Sequence, residues 1–66
     1  MSRAIQTVQE QQNLSEEVIE TIRNAQEVTQ KFAGEVHGAL NDEVYSLANL
    51  LHEARMKAEN ISKKLA

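Results

Sequence analysis

The stretch "FAGEVHGALNDE", residues 32–43, contains both glycines of this 66-residue chain and decides whether it forms one helix or two. Gly38 follows Val36, the last residue of an apolar pattern, and glycine just past a helix end commonly adopts a left-handed backbone conformation. Asn41 is then suited to cap a second helix, whose first turn carries acidic Asp42 and Glu43. We therefore predict a helical hairpin that turns at residues 37–41, with Gly38 and Asn41 as the turn residues.

The alternative is one long helix in a coiled coil, with both glycines inside it. Each glycine would then cost about 1 kcal/mol relative to alanine, which a long coiled coil tolerates. The hairpin is favoured because it divides the chain into helices of nearly equal length, about residues 15–37 and 42–65. Lys63 and Lys64 also lie where a helix C-terminus favours cations.

The composition predicts an all-α protein that needs a partner for stability. Proline and cysteine are absent, and the only aromatic residues are Phe32 and Tyr45. Good helix formers dominate, and no segment alternates in the way a strand does. A domain this small is marginal alone, and without cysteine neither disulfides nor thiolate metal sites can stabilise it. Oligomerisation or partner binding is therefore the remaining way to stabilise the fold.

The second half of the chain carries an apolar stripe with a period of 3.5 residues, which continues over three heptads. Its members are separated alternately by three and four residues, and Ala48 and Leu50 widen the stripe beside them. They are Val44, Leu47, Leu51, Ala54, Ala58, Ile61 and Leu65. A stripe of this width suits the core of a helical bundle better than a two-stranded coiled coil.

The first half repeats this pattern less regularly. The corresponding positions are Val18, Ile22, Ala25, Thr29, Phe32 and Val36. The apolar pattern fades between residues 9 and 15, where Ser15 is suited to cap a helix ahead of Glu16 and Glu17. Residues 1–14 are then predicted to be a flexible or helical arm, in which Ile5 and Val8 need a partner.

Two facing helices leave one edge of each broad stripe exposed to water, so we predict that the hairpin dimerises into a four-helix bundle. The apolar residues of both stripes form the predicted oligomer core. In helix length and apolar pattern, this architecture resembles small dimeric plasmid-copy-control bundles. The register of the helices and the oligomer number are left open by the sequence.

Candidate chemistry is sparse, and we predict that the chain is not an enzyme and binds no cofactor or metal. His37 and His52 are the only candidate bases or metal ligands of their type, and they lie in different predicted helices without a metal-binding motif. The net charge is −3, whereas nucleic-acid-binding domains usually carry a basic surface. No apolar run is long enough to span a membrane, and we expect a cytoplasmic location.

One further surface is predicted on the outer side of the second helix. Tyr45, His52 and Met56 lie close together on a helical wheel, and Tyr and Met are enriched at protein interfaces. This possible partner face has a simpler interpretation as scattered exposed residues. The sequence favours a non-enzymatic helical protein–protein interaction module, acting as a homo-oligomer and serving as an adaptor, assembly subunit or small chaperone. A small dimeric nucleic-acid-binding regulator is the alternative.

Overall fold

A computed structural model describes the backbone of residues 2–65 and the side chains of residues 7–65. It contains two α-helices, α1 (Ser2–Glu35) and α2 (Ala39–Leu65), and no strand within residues 2–65. The helices pack side by side as an antiparallel pair, and the molecule measures 57 × 15 × 10 Å along its principal axes. The predicted all-α hairpin is therefore confirmed, and a single continuous helix is excluded.

The turn is built around Gly38, which has a φ of 71° and is the only glycine with a positive φ in the described chain. Its carbonyl oxygen accepts hydrogen bonds from the backbone N–H groups of Asn41 at 3.1 Å and Asp42 at 3.4 Å. These are the first hydrogen bonds of α2. Gly38 thus reverses the chain direction and also begins the second helix, because a residue without Cβ adopts this conformation without steric strain.

Asn41 acts at this turn, but its predicted role as the N-cap of α2 is wrong. The side-chain Nδ2 donates hydrogen bonds to the carbonyl oxygens of Ala33 at 2.7 Å and Val36 at 3.0 Å. The last carbonyls of a helix have no partner within that helix. Asn41 therefore satisfies the C-terminal end of α1 from a position inside α2.

The first helix begins at Ser2, so residues 2–14 are helical, the second of the two alternatives predicted for the arm, and α1 runs through Ser15 without a break. Residues 2–33 contain no glycine or proline, and a serine inside a helix costs only a few tenths of a kcal/mol more than alanine. Ser15 consequently lies within α1, where its Oγ is buried and has no hydrogen-bond partner. The predicted contacts of Ile5 lie outside the side chains that the structure describes.

The hairpin interface consists of the side chains buried between α1 and α2. The most deeply buried are Thr29, Ala33, Val44 and Ala58, which are between 4% and 8% exposed. The Thr29 hydroxyl is satisfied because it donates to the Ala25 carbonyl at 2.7 Å. Ala33, Val44 and Ala58 are small or apolar, so the helices can approach closely at these positions. None of the large apolar side chains in residues 7–65 is fully enclosed.

Polar contacts connect the two helices at three levels. At the turn, Asn41 binds the end of α1; midway along the hairpin, Arg55 Nη1 donates to Gln26 Oε1 at 3.3 Å. At the open end, Gln12 Nε2 donates to the Leu65 carbonyl at 3.1 Å. These contacts show which residues lie beside one another and so define the register of the hairpin.

Candidate protein-interaction surface

The positions buried in the hairpin interface determine which residues lie on each side of the hairpin. Along α2 the less exposed side chains follow a regular spacing of three and four, from Asn41 to Leu65. Residues three places after Val44 or Ala58 lie about 60° to one side of them, since each residue turns the helix by about 100° and three residues fall about 60° short of a full turn. The same offset in antiparallel α1 leads to the same side of the hairpin.

That side carries most of the exposed large apolar side chains in residues 7–65, and we call it the apolar face. On α1 its members are Leu14, Val18, Val28 and Phe32, which are 61%, 50%, 63% and 48% exposed. On α2 its members are Leu40, Leu47, Leu50 and Ile61, which are 51%, 45%, 61% and 55% exposed. Many exposed large apolar side chains on one side of a small protein indicate an interaction site.

The apolar face is indented toward the open end of the hairpin. Ser15 and Ala58, which are small, lie between Val18 and Ile61 and leave a notch of about 90 Å³. A second, shallower depression of about 310 Å³ adjoins it along α1 and includes Leu14 and Val18. Both are open surface depressions lined mainly by apolar atoms, so the chemistry that they favour is contact with an apolar side chain.

The predicted oligomer core divides between this face and the hairpin interface. Seven members lie in the hairpin interface, buried or half-buried: Ile22, Ala25, Val36, Val44, Leu51, Ala58 and Leu65. The other five are exposed on the apolar face: Val18, Phe32, Leu47, Ala54 and Ile61. The structure thus uses one edge of the broad apolar stripe to join α1 to α2 and leaves the other edge exposed.

Sequence reasoning missed two polar members of the hairpin interface, Arg55 and Ser62, and treated Ala48 only as a flanking residue. Ala48, Arg55 and Ser62 occupy interface positions that the apolar pattern had assigned to Leu47, Ala54 and Ile61. The spacing from Asn41 to Leu65 through these residues is as regular as the predicted one. It was overlooked because Arg55 and Ser62 are polar, although the stem of an arginine packs well at such an interface.

The predicted partner face has a different location. Tyr45 and His52 each follow an interface residue by one position, which places them on the side opposite the apolar face. Met56 points further outward, and both Tyr45 and Met56 are more than half exposed. Met56 also lines a shallow depression of about 520 Å³ whose other residues are mostly charged, including Glu53 and Lys57.

The two histidines take part in no metal-binding cluster among the described residues. His37 and His52 are both exposed, and no group of three His, Cys, Asp or Glu residues within the described chain is arranged to hold a metal ion. No helix among them has the length and apolar character needed to cross a membrane. Comparisons with protein-family models, curated proteins and solved structures give no match for this chain.

The basic residues near the C-terminus do not form a continuous patch. Arg55 is half-buried and is directed toward Gln26 and toward Glu59, whose Oε1 lies 3.6 Å from Arg55 Nε. Lys57, Lys63 and Lys64 are exposed. A partly buried arginine that is already paired in this way is less available to a phosphate than a free surface cation.

Proposed function

We propose that this chain is a non-enzymatic helical protein–protein interaction module that acts as a homo-oligomer through its apolar face. It would serve as an adaptor, an assembly subunit or a small chaperone. The observation that carries this proposal is the apolar face itself, where eight large apolar side chains remain about half exposed in the single hairpin. Their exposure is the reason that a second surface is needed to cover them.

The area of the apolar face is suited to a dimer. Eight half-exposed side chains contribute roughly 100 Å² each, or about 800 Å² per chain, which equals the area that each partner buries in a standard interface. Doubling the hairpin through this face produces a four-helix bundle, whose core combines the two exposed edges with the two hairpin interfaces. This arrangement also gives the five exposed members of the predicted oligomer core an apolar environment.

Sedimentation velocity or multi-angle light scattering over a range of protein concentrations tests the proposal. We expect a species of twice the 7.4 kDa chain mass that dissociates on dilution. Leu47→Ser should shift the equilibrium toward monomer because it places a hydroxyl on the apolar face. Tyr45→Ser is the matched control, since Tyr45 has a similar exposure on the opposite side. A monomer at every concentration would overturn the proposal.

The alternative, a nucleic-acid-binding regulator, has less support. With Arg55 paired, three separate exposed lysines remain near the C-terminus of a chain whose net charge is −3. A salt titration distinguishes the two functions, because binding to phosphates weakens steeply as salt rises whereas apolar self-association does not.

A further inference from the structure

The two ends of the apolar face differ in shape. Phe32, the largest side chain of the face, and Leu47 lie in the half near the turn, and the notch between Val18 and Ile61 lies in the half near the open end. Ala54 occupies the middle of the face. Half-buried Ala25 borders it from the hairpin interface at a similar height, as the neighbouring contact between Gln26 and Arg55 shows. The face therefore has its largest side chain at one end, the small Ala54 in the centre and a notch at the other end.

The charges along the edges of the face also differ between its ends. On α2, the edge row has a spacing of seven residues and consists of Glu43, Leu50, Lys57 and Lys64. On α1, the corresponding row contains Leu14, Thr21, Val28 and Glu35. Within these two rows, both acidic members lie at the turn and both lysines lie in the half near the open end. All four charged side chains are exposed. Glu17, outside the rows, is an exposed acid that lines the depression beside Leu14 at the open end.

Two symmetric arrangements would cover the apolar face with a second copy of the chain. If both turns lie at the same end, α1 of each copy packs on α2 of the other, and Glu35 lies opposite Glu43 of the second copy. If each turn lies at the open end of the other copy, α1 packs on α1 and α2 on α2. Glu43 then lies opposite Lys64 of the second copy, and Phe32 lies opposite Val18 and its notch.

We propose that two copies pair in the second arrangement, with each turn at the open end of the other. It replaces two like-charge contacts, which are unfavourable, by two oppositely charged ones, and it fits the bulky end of one face to the indented end of the other. Ala54 lies opposite Ala54 of the second copy at the two-fold axis, where small side chains let the helices approach. This inference rests on the proposed homo-oligomeric function.

Reversing the charge of one residue changes the dimer Kd in opposite directions in the two arrangements. In the proposed dimer, Glu43→Lys places a lysine opposite Lys64 of the second copy, and we expect the dimer Kd to rise by about 3- to 10-fold at low salt. With both turns at the same end, the same change would remove the repulsion between Glu35 and Glu43, and the Kd would fall. A fall in Kd, measured by sedimentation equilibrium, would overturn the proposed arrangement.

Exchanging the charges of Glu43 and Lys64 should restore the dimer that either single reversal weakens. Lys64→Glu alone should also raise the Kd, because it places a glutamate opposite Glu43. The double variant Glu43→Lys/Lys64→Glu should restore self-association to about the wild-type value, because the opposite charges again face each other. Failure of the double variant to recover, in a chain whose helical circular dichroism is unchanged, would contradict the contact between Glu43 and Lys64.

A cysteine cross-link tests the same geometry without relying on charge. The chain contains no cysteine, so Ala54→Cys introduces a single thiol at the proposed two-fold axis. Oxidation, or a short bifunctional maleimide, should join two copies efficiently. Ser46→Cys, an exposed position on the outer side of α2, is the control and should cross-link poorly. In the other arrangement, Ala54 faces Ala25 of the second copy, and the Ala54→Cys chain would not cross-link to itself.

These experiments separate the arrangement from the function on which it depends. Absence of any dimer for the wild-type chain would overturn the proposed self-association and this arrangement together. A dimer that tightens with Glu43→Lys and does not cross-link through Ala54→Cys would retain the self-association and overturn the arrangement alone.

Discussion

Asn41 Nδ2 lies 2.7 Å from the carbonyl oxygen of Ala33, so a side chain in the second helix closes the end of the first. This contact and a second one to Val36 hold the turn in place together with the left-handed backbone of Gly38. The hairpin is therefore stabilised at its turn by a donor that both helices share.

The Asn41 contact predicts that Asn41→Ala lowers the free energy of unfolding by about 1–2 kcal/mol, because two carbonyls at the end of α1 lose their side-chain donor. Asn41→Asp should be at least as unfavourable, because a carboxylate accepts and does not donate. Urea unfolding followed by circular dichroism measures both. Asn49→Ala, at an exposed position in the same helix, is the control and should change stability little. Equal effects at Asn41 and Asn49 would argue against the contact.

Substitution by alanine should change the stability of the fold in opposite directions at the two glycines. Gly38→Ala is expected to destabilise the fold by about 1 kcal/mol or more, because alanine resists a φ of 71°. Gly34→Ala should stabilise it by about 1 kcal/mol, because Gly34 lies inside α1 and an added Cβ has nothing within 4 Å. Thermal melting measures both, and a Gly38→Ala chain that melts no lower than wild type would contradict the hairpin turn.

Substitution of Ser15 tests where the first helix begins. Within a continuous helix, replacing its unpartnered hydroxyl by Ser15→Ala should raise the free energy of unfolding by about 0.5 kcal/mol, because alanine has the higher helix propensity. If Ser15 capped a helix, the same change would instead cost about 1 kcal/mol. A lower melting temperature for Ser15→Ala would thus favour a helix that begins there, in place of one that begins at Ser2.

Alanine substitutions at Leu51 and Leu47 should distinguish contacts that fold the hairpin from contacts that hold two hairpins together. Leu51 is half-buried in the hairpin interface, whereas Leu47 is 45% exposed on the apolar face. Within a four-helix bundle, Leu51→Ala and Leu47→Ala are each expected to lower the free energy of unfolding by about 2–5 kcal/mol. The Leu47→Ala deficit should shrink on dilution, because its contacts form only in the dimer. Melting temperatures at several concentrations measure this, and concentration-independent melting would indicate a self-sufficient monomer.

The Tyr45 surface is predicted to be separable from the apolar face. Tyr45→Ala/Met56→Ala should leave helicity and the sedimentation coefficient unchanged, because both side chains lie away from the hairpin interface and from the apolar face. If this surface is an anchor for another protein, binding of that protein should weaken by more than about 1 kcal/mol. Unfolding of the Tyr45→Ala chain would instead assign Tyr45 to the core.

Several features of the fold followed from local sequence. The absence of proline, the abundance of helix formers and the position of Gly38 predicted two helices and the turn between them, because helix formation and termination depend on residues within a few positions. The cations Lys63 and Lys64 likewise lie in the last turn of α2, as predicted. Local reasoning left open whether residues 1–14 are flexible or helical, since a capping residue such as Ser15 also fits within an uninterrupted helix.

The tertiary structure decided which edge of the broad apolar stripe joins the helices. Val44, Leu51 and Ala58 belong to both possible spacings, but local pattern could not choose between Leu47 and Ala48 as the next member. Long-range contacts made that choice: Arg55 reached Gln26, Asn41 reached Ala33, and the small side chains of Ala33 and Ala58 were buried. Because these partners are 8–29 residues apart in the chain, their energies enter only after the hairpin closes, and Leu47 and Ile61 are left on the apolar face.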